Sequence, residues 1–274
     1  NPWSIVNYIA KYRQGFDAYW VRSGTDDLIT KYFLIPENKT LRDDIKSLLE
    51  GKTLKKEIEK DFIFPNLDRN SNLLWSLLLF TGYLKPVERA EQDFYYVTIP
   101  NLEVKQVYTS IVKHYFNETI HFTQSNLYSM LEYLQNADIK NFKKLFADFV
   151  YRLSYHDFAG EKAEQVYHAF VLGLLVYLQN SYQIYSNIES GEGRPDILLA
   201  PHNKTKHGII IEFKTMAKDA ADTEIDSKMQ EGFRQIAENR YFKMLTNQGI
   251  HKHIELVMVF SGKKVSVKER FVNK

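Results

Sequence analysis

The fold of this chain is decided by residues 189–215, ESGEGRPDILLAPHNKTKHGIIIEFKT, which have the pattern of two strands joined by a polar turn. We predict the first strand over Arg194–Ala200, where the apolar residues begin. The second is predicted over Gly208–Thr215, because it contains the β-branched run Ile209–Ile211. The intervening Pro, His, Asn and Lys residues form turns readily, and we expect the turn to be centred near Lys204.

This turn predicts that two acids and one lysine share one face of the strand pair. Asp196 would lie opposite Glu212, with Cβ atoms about 5 Å apart. Lys214 lies two residues beyond Glu212 and therefore points to the same side, whereas Phe213 points to the other. The two carboxylates would repel each other unless something positive lay between them. The alternative is a simple ion pair between Glu212 and Lys214 on an exposed sheet face.

A divalent cation would explain the predicted arrangement. Ligands that are all oxygen favour Mg²⁺ or Mn²⁺ over zinc. Lys214, held beside such an ion, could orient or help to deprotonate a water and could stabilise charge that develops on a phosphate.

The complete pattern resembles the PD-(D/E)XK nuclease superfamily. It consists of Pro195-Asp196, then fifteen residues, then Glu212-Phe213-Lys214. The preceding stretch, from Ser186 to Asp196, is similar to one branch of that superfamily. In that branch the nuclease domain follows an AAA-ATPase-like domain, mostly in bacterial proteins. Related nuclease modules occur in the toxins of cytoplasmic-incompatibility pairs, which is a weaker association.

The resemblance covers the chain from about Phe142 to its end. It implies an α/β fold, a restriction-endonuclease-like mixed sheet flanked by helices and preceded by a mainly α-helical domain. We therefore expect a helical domain over residues 1–140 and a nuclease domain over 141–274. The segment up to about Leu84 also resembles the region that follows the ATPase core, notably over residues 1–5 and at Tyr19-Trp20. No GxxxxGK[ST] phosphate loop occurs in the sequence, so we expect no nucleotide hydrolysis.

The resemblance also implies the chemistry, which is metal-dependent hydrolysis of DNA phosphodiester bonds, with RNA left open as a substrate. Asp196 and Glu212 would hold Mg²⁺ or Mn²⁺, and Lys214 would activate the water. A further glutamate on the helix before the first catalytic strand would support the metal. Glu164 matches that position, and Glu161, one turn earlier, is the alternative.

Three residues would contact the substrate by the same resemblance: Gln235, Tyr241 and Arg194. Gln235 and Tyr241 fall in a helix predicted over 227–245. On a regular helix six residues turn by about 240°, so the two side chains would not point at one spot.

The histidines are predicted to play no part in the site. His168 lies in an apolar helix, where a hydrogen-bonded core residue is the usual case. His251 and His253 alternate at the start of a predicted strand, and we interpret both as surface residues. We assign no metal to any of them.

Composition narrows the classes of protein. The chain has no cysteine, which excludes disulfides and thiolate metal sites and fits a reducing compartment. Its apolar runs are too short to cross a bilayer. We therefore expect a cytoplasmic protein without membrane contact, or an effector delivered into another cell. The net charge is +2, but residues 240–274 carry eight Lys or Arg against two Glu, a basic end that could follow a phosphate backbone.

The first 140 residues are predicted to be mostly helical. Apolar spacing and capping residues predict helices that begin at Pro2, near Thr25 and at Thr40, and further helices over 70–83, 102–115, 124–134 and 139–153. One short strand is expected over 95–99, and the succession up to that point could resemble a winged helix. A long helix over 160–180 and two strands, over 254–260 and 265–271, complete the prediction.

Two other classes of function stay open. The chain could be a binding module that retains the nuclease fold without its chemistry. It could also be a toxin or effector component whose helical half binds a protein partner.

Overall fold

The computed structural model describes residues 2–14, 25–34, 39–60, 73–118, 120–156, 162–186, 192–218 and 220–273. The chain divides into two compact units, residues 1–115 and residues 116–274. No helix among the described residues combines the length and the apolar character needed to span a bilayer.

The first unit combines helices with one small sheet. Its elements, in chain order, are α1 (Pro2–Ala10), a short 3₁₀ helix (Tyr12–Gln14), α2 (Thr25–Leu34), α3 (Lys39–Leu49), β1 (Leu54–Glu57), α4 (Leu73–Phe80), β2 (Lys85–Glu91), β3 (Phe94–Thr98) and α5 (Leu102–Glu118), which runs across the division between the units. The predicted helices are confirmed, and α3 ends as expected before Gly51, whose φ of +84° suits the left-handed end of a helix.

The three strands form an antiparallel sheet in the order β1-β3-β2, of which the sequence predicted only β3. The flanking strands have the sequences LKKE and KPVERAE, which lack a run of apolar residues, so alternation did not reveal them. The sheet extends the helix–helix–strand succession that suggested a winged helix. Helix α4, however, buries six of its eight residues and is therefore a core helix of this unit.

The second unit contains the remaining helices and a larger sheet. Its elements are α6 (Gln124–Gln135), α7 (Ile139–His156), α8 (Lys162–Tyr177), β4 (Tyr182–Ser186), β5 (Ile197–Pro201), β6 (Gly208–Met216), α9 (Asp222–Glu238), α10 (Lys243–Asn247), β7 (Lys252–Ser261) and β8 (Lys264–Asn273). The strands lie in the order β4-β5-β6-β7-β8. Only β6 and β7 are parallel, and α9 lies in the connection between them, so the sheet is mixed.

Helices cover both faces of the central strands. On one face α9 packs on an apolar cluster that includes Ile210, Phe233, Ile236 and Val257. Helix α8 contacts β4 and β6. Strand β5 is buried along its whole length, because its two faces are both covered. Each fully buried Ile or Leu contributes about 2 kcal/mol of hydrophobic free energy, which makes this hairpin a rigid base for polar residues at its open end.

The division between the units falls earlier than the boundary at residue 140 that we expected. Helices α6 and α7 belong with the second unit because their apolar faces pack there. Phe142 and Phe146 stack 5.3 Å apart, and Phe146 lies edge-on to Phe170 of α8 at 5.0 Å. Lys143 also pairs with Glu269 of β8. The prediction of a nuclease domain over 141–274 and a helical domain over 1–140 rests on the sequence.

Helix α9 differs from its predicted limits. It begins at Asp222 and ends at Glu238, not at Leu245, and α10 is a separate short helix. The break follows from Arg240, whose φ of +53° is incompatible with a continuing right-handed helix. No glycine occupies this position, so residue types alone do not predict the break.

Candidate active site on strands β5 and β6

The candidate site lies where β5 begins and β6 passes its midpoint. Ile197 pairs with Ile211 and Leu198 pairs with Ile210. Continued by one residue, this register sets Asp196 opposite Glu212, as the turn predicted. The backbone N–H of Phe213 donates a hydrogen bond of 2.7 Å to Asp196 Oδ2, which ties the carboxylate to the middle of β6.

Asp196 is partly buried, and its surroundings act on it in opposite directions. Burial raises the pKa of its carboxyl group above the usual value, whereas the Phe213 N–H and the charge of Lys214 lower it. Asp196 is therefore a carboxylate with few solvent contacts that depends on nearby donors to remain charged.

Glu212 is the most deeply buried acid of the site, with 3% of its surface exposed. Its Oε1 accepts a hydrogen bond of 2.8 Å from Lys214 Nζ. Its Oε2 is also buried and has no hydrogen-bond partner among the described residues. Burial, followed by the nearby Asp196 carboxylate, raises the pKa of Glu212 to about 7, although Lys214 and the backbone N–H of Asp196 act against the shift. An unpartnered buried carboxylate oxygen is costly and calls for a ligand.

Lys214 connects β6 to helix α9. Besides Glu212, its Nζ donates a hydrogen bond of 2.5 Å to Gln235 Oε1. An ammonium has three N–H donors, and the third has no partner within the part of the chain that is described. Both partners are acceptors, so these two bonds fix the direction of the Lys214 side chain.

Gln235 is held in turn from its other end. Its Nε2 donates to the hydroxyl of Tyr241 at 3.1 Å, and Asn239 Nδ2 donates to the same oxygen at 3.1 Å. Tyr241 can meet Gln235 because α9 ends at Glu238, so the regular helix that we expected does not separate them. These bonds direct the Gln235 carbonyl toward Lys214.

The segment before Asp196 passes close to the end of α9. The backbone N–H of Glu192 donates to the Asn239 carbonyl at 2.8 Å. A Cβ atom on Gly193 would lie 2.9 Å from Asn239 Nδ2 and 3.1 Å from a ring carbon of Tyr241. A side chain at residue 193 would displace Asn239 or Tyr241, so glycine allows this close approach.

The site brings together Asp196, Glu212, Lys214, Gln235 and Tyr241. Tyr241 is 1% exposed, so its position suits support of Gln235, and Arg194 is exposed. Glu164 belongs to α8, but its side chain lies outside the described residues, and Glu161 lies outside them altogether.

Two residues near the site were not anticipated. Asn239 is the C-cap of α9, and a polar residue at a helix end is a signal that could have singled it out. His253, which we expected at the surface, is 1% exposed because α9 and the segment after it cover that end of β7. It lies 3.4 Å from Glu255 and stacks on Phe242. The expectation for His253 is therefore wrong, whereas His251 is exposed as predicted. The side chain of His168 lies outside the described residues.

The residues present fit a hard divalent cation in part. Two carboxylates converge, one of them with a buried oxygen that lacks a partner, and oxygen is the donor that Mg²⁺ and Mn²⁺ prefer. Among the described side chains, no group of three or more His, Cys, Asp or Glu is arranged to hold a metal. Asp196 and Glu212 are therefore the two candidate ligands of such a site that lie among the described residues.

Comparison with known families agrees with this geometry. Residues 162–270 match a model of the PD-(D/E)XK nuclease superfamily, and the match includes every residue predicted for the site. The chain matches no curated protein and no solved structure. The restriction-endonuclease-like mixed sheet and the pairing of Asp196 with Glu212 agree with this match, so structure and sequence comparison support the same superfamily for residues 162–270.

Proposed function

We propose that this chain is a metal-dependent nuclease that hydrolyses DNA phosphodiester bonds. The observation that carries the proposal is the buried Oε2 atom of Glu212, which lacks a partner beside a second carboxylate and an ammonium. An oxygen in this state keeps the capacity to bind a cation, which a carboxylate with both oxygens hydrogen-bonded would lack. A site that binds an ion for catalysis accounts for it.

Asp196 and Glu212 would hold the cation, which we propose to be Mg²⁺ or Mn²⁺, with Glu164 as a further ligand from α8. Such an ion supplies Lewis acidity and lowers the pKa of a water. Phe213 orients Asp196 through its N–H, and Lys214 orients Glu212 through Oε1. These bonds fix the ligands before the substrate arrives.

Lys214 contributes a positive charge and an oriented hydrogen-bond donor. Its Nζ donates to Glu212 and Gln235, and the third N–H is proposed to bind a water or a phosphate oxygen. Charge that develops on the phosphate during attack is stabilised by this nearby ammonium. Gln235 sets the position of Lys214, and Arg194, which is exposed, is proposed to contact the substrate backbone.

Plasmid nicking in Mg²⁺ tests the proposal. The wild type should convert supercoiled DNA to the open circle, and Asp196→Ala and Lys214→Ala should each lose activity by at least about a hundredfold. Asp148→Ala and Lys143→Ala are matched controls, since both remove a charge from an ion pair of α7 in the same unit. Equal nicking by all five proteins would refute the assignment. Parallel assays on RNA and on single strands test the choice of substrate.

Titration of Mn²⁺ by calorimetry separates an enzyme from a binding module without chemistry. The enzyme should bind Mn²⁺, and Asp196→Ala should weaken that binding. A protein that binds no ion, and whose nucleic-acid affinity is the same with and without Mn²⁺, would be the binding module.

A protein partner for the first unit is also proposed, and one observation favours it. Helix α1 exposes Ile5, Val6 and Ile9 by 59–65% each, which is a large apolar area for a surface helix. Affinity capture with the full chain and with Ile5→Ser/Ile9→Ser would test this role. The relation to bacterial proteins with an AAA-ATPase-like domain, the likeness to toxin modules, and a cytoplasmic or delivered location rest on the sequence resemblance alone.

A further inference from the structure

A cavity beside the candidate site has no role in the mechanism above. Its volume is about 350 Å³, and it lies among the end of β6, the start of α9 and the β7–β8 turn. The residues that line it are Lys218, Ala220, Asp222, Ile225, Val259, Ser261, Gly262, Lys263, Lys264 and Ser266.

The lining has a strongly positive character. Lysines enter from two different segments: Lys218 follows β6, whereas Lys263 lies in the β7–β8 turn and Lys264 is the first residue of β8. Asp222 is the one acid among the lining residues, so the lining carries a net charge of +2 from its side chains. Lysine supplies a mobile point charge that suits a phosphate group.

Specific contacts hold the two lysine-bearing segments together. Ser261 Oγ donates to the Ala217 carbonyl at 2.8 Å. Gly262 has a φ of +57°, and a Cβ atom there would lie 3.0 Å from Lys218 Cγ. A side chain at residue 262 would therefore push the turn away from Lys218 and widen the cavity.

The cavity adjoins the catalytic lysine. Lys214 pairs with Val259 across the parallel strands, and Val259 forms part of the cavity lining. Val259 belongs to the apolar cluster under α9, so the cavity lies on the same sheet face as Glu212 and Lys214. One wall of the cavity is thus one strand spacing, about 5 Å, from the backbone of Lys214, and the lining extends along α9 to Ile225, ten residues or about 15 Å of helix from Gln235.

We infer that this cavity binds the phosphate backbone of the substrate strand next to the phosphate that is cut. The inference rests on the proposed function, because it assumes that a DNA strand reaches Lys214. Much of the other positive charge near the chain end is neutralised: Arg240 lies 3.5 Å from Glu192, Lys268 lies 3.6 Å from Asp226, and Arg270 pairs with Glu255. Two lysines of the basic end that the sequence predicted, Lys263 and Lys264, line the cavity, and Lys263 also lies over the ring of Tyr151 at 6.0 Å.

The salt dependence of DNA binding tests the inference. Each lysine that contacts a phosphate contributes about 0.9 to the slope of log K against log salt concentration on duplex DNA. We expect Lys218→Gln/Lys263→Gln/Lys264→Gln to lower the slope by about two to three and to weaken binding at least tenfold at 0.1 M salt. The measurement is fluorescence anisotropy with a labelled 20-base-pair duplex, in EDTA so that no cleavage occurs.

The matched control is Lys140→Gln/Lys144→Gln/Lys204→Gln. It removes the same charge from exposed lysines of the second unit that lie outside the cavity lining. An equal loss of slope in this control would show a general charge effect and overturn the inference. An unchanged slope in the cavity variant, or a wild type that binds no DNA, would overturn it as well.

Two further measurements keep this inference distinct from the proposed function. If the wild type binds DNA through the cavity but does not cut it, the nuclease proposal fails and the cavity assignment remains. If it cuts DNA with an unchanged slope in the cavity variant, the cavity assignment fails alone. Inorganic phosphate could instead bind the cavity at low millimolar concentration while the lysine substitutions leave duplex binding unchanged. That result would indicate a small-anion site and contradict the inference.

Discussion

Strands β6 and β7 lie side by side, and each buries a glutamate on the sheet face that α9 covers. Glu255 of β7 is 3% exposed, and both of its oxygens have partners: Arg270 binds Oε2, and His253 lies 3.4 Å from Oε1. Glu212 of β6 is equally buried, but its Oε2 has no partner among the described residues. Burial alone therefore does not distinguish a structural acid from one that is ready to bind a ligand.

The two clusters differ in what each lysine or arginine does. Arg270 saturates Glu255 and also lies over the ring of Phe233 at 4.9 Å, which attaches β8 to α9. Lys214 binds one oxygen of Glu212 and extends to Gln235. A saturated cluster stabilises the fold, and an incomplete one retains a binding capacity at some cost in stability.

Exchange of each glutamate for glutamine should give the largest contrast. Glu212→Gln removes a charge needed to hold the cation, and we expect cleavage to fall about a thousandfold. Glu255→Gln should change the nicking rate by less than about threefold, because Glu255 belongs to the structural cluster. The rates are compared at a temperature at which the variant is folded. Nicking rates in Mg²⁺ measure both. A loss of cleavage by Glu255→Gln that matches the loss by Glu212→Gln, in folded protein, would abolish the distinction.

Removal of the arginine should produce the next largest effect, on stability. Arg270→Met leaves the buried Glu255 without its main partner, and the free energy of unfolding should fall by about 3 kcal/mol. Lys268→Met is the control, since Lys268 lies on the same strand and pairs with the exposed Asp226; it should change stability by less than about 0.5 kcal/mol. Urea unfolding measures both. Equal losses in the two variants would mean that Glu255 does not depend on Arg270.

The raised pKa of Glu212 predicts a pH-dependent cost in metal-free protein. A carboxyl group whose pKa is about 7 in the folded state, above its ordinary value of 4.5, binds more protons when folded, so stability falls as pH rises between these values. Glu212→Gln removes that cost. In EDTA the variant should exceed the wild type by about 3 kcal/mol at pH 8 and match it near pH 4.5. A difference in unfolding free energy that stays constant with pH would contradict this account.

The turn residues and the alternation of side chains along the strands predicted one side of this comparison, the pairing of Asp196 with Glu212. The distance between Asp196 and Glu212 in the sequence, together with a turn near Lys204, gave the register that Ile197 and Ile211 display. The partners of Glu255 could not be predicted in the same way. His253 and Arg270 come from positions on β7 and β8 that meet Glu255 only through strand pairing and the covering helix.

Local backbone conformation was the second feature that could not be predicted from the residue types. The turn at Arg240 brings Tyr241 back to Gln235, and nothing in the residue types around it indicates a positive φ. Strands β1 and β2 escaped prediction because their residues are mostly charged. Sequence patterns thus reported where apolar faces lie, whereas contacts made by polar residues at chain reversals needed the structure.

Tyr241 offers the finest test of how the incomplete cluster is held. Tyr241→Phe keeps the buried ring and removes the oxygen that accepts from Gln235 and Asn239. Gln235 can then rotate away from Lys214, and we expect the nicking rate to fall about tenfold, which equals about 1.4 kcal/mol in the barrier. Tyr185→Phe is a control, because it removes a hydroxyl that accepts from Gln248 at 3.2 Å and does not contact Lys214. If Tyr241→Phe cuts DNA as fast as Tyr185→Phe does, Lys214 is positioned by Glu212 alone, and the chain of bonds through α9 contributes only to folding.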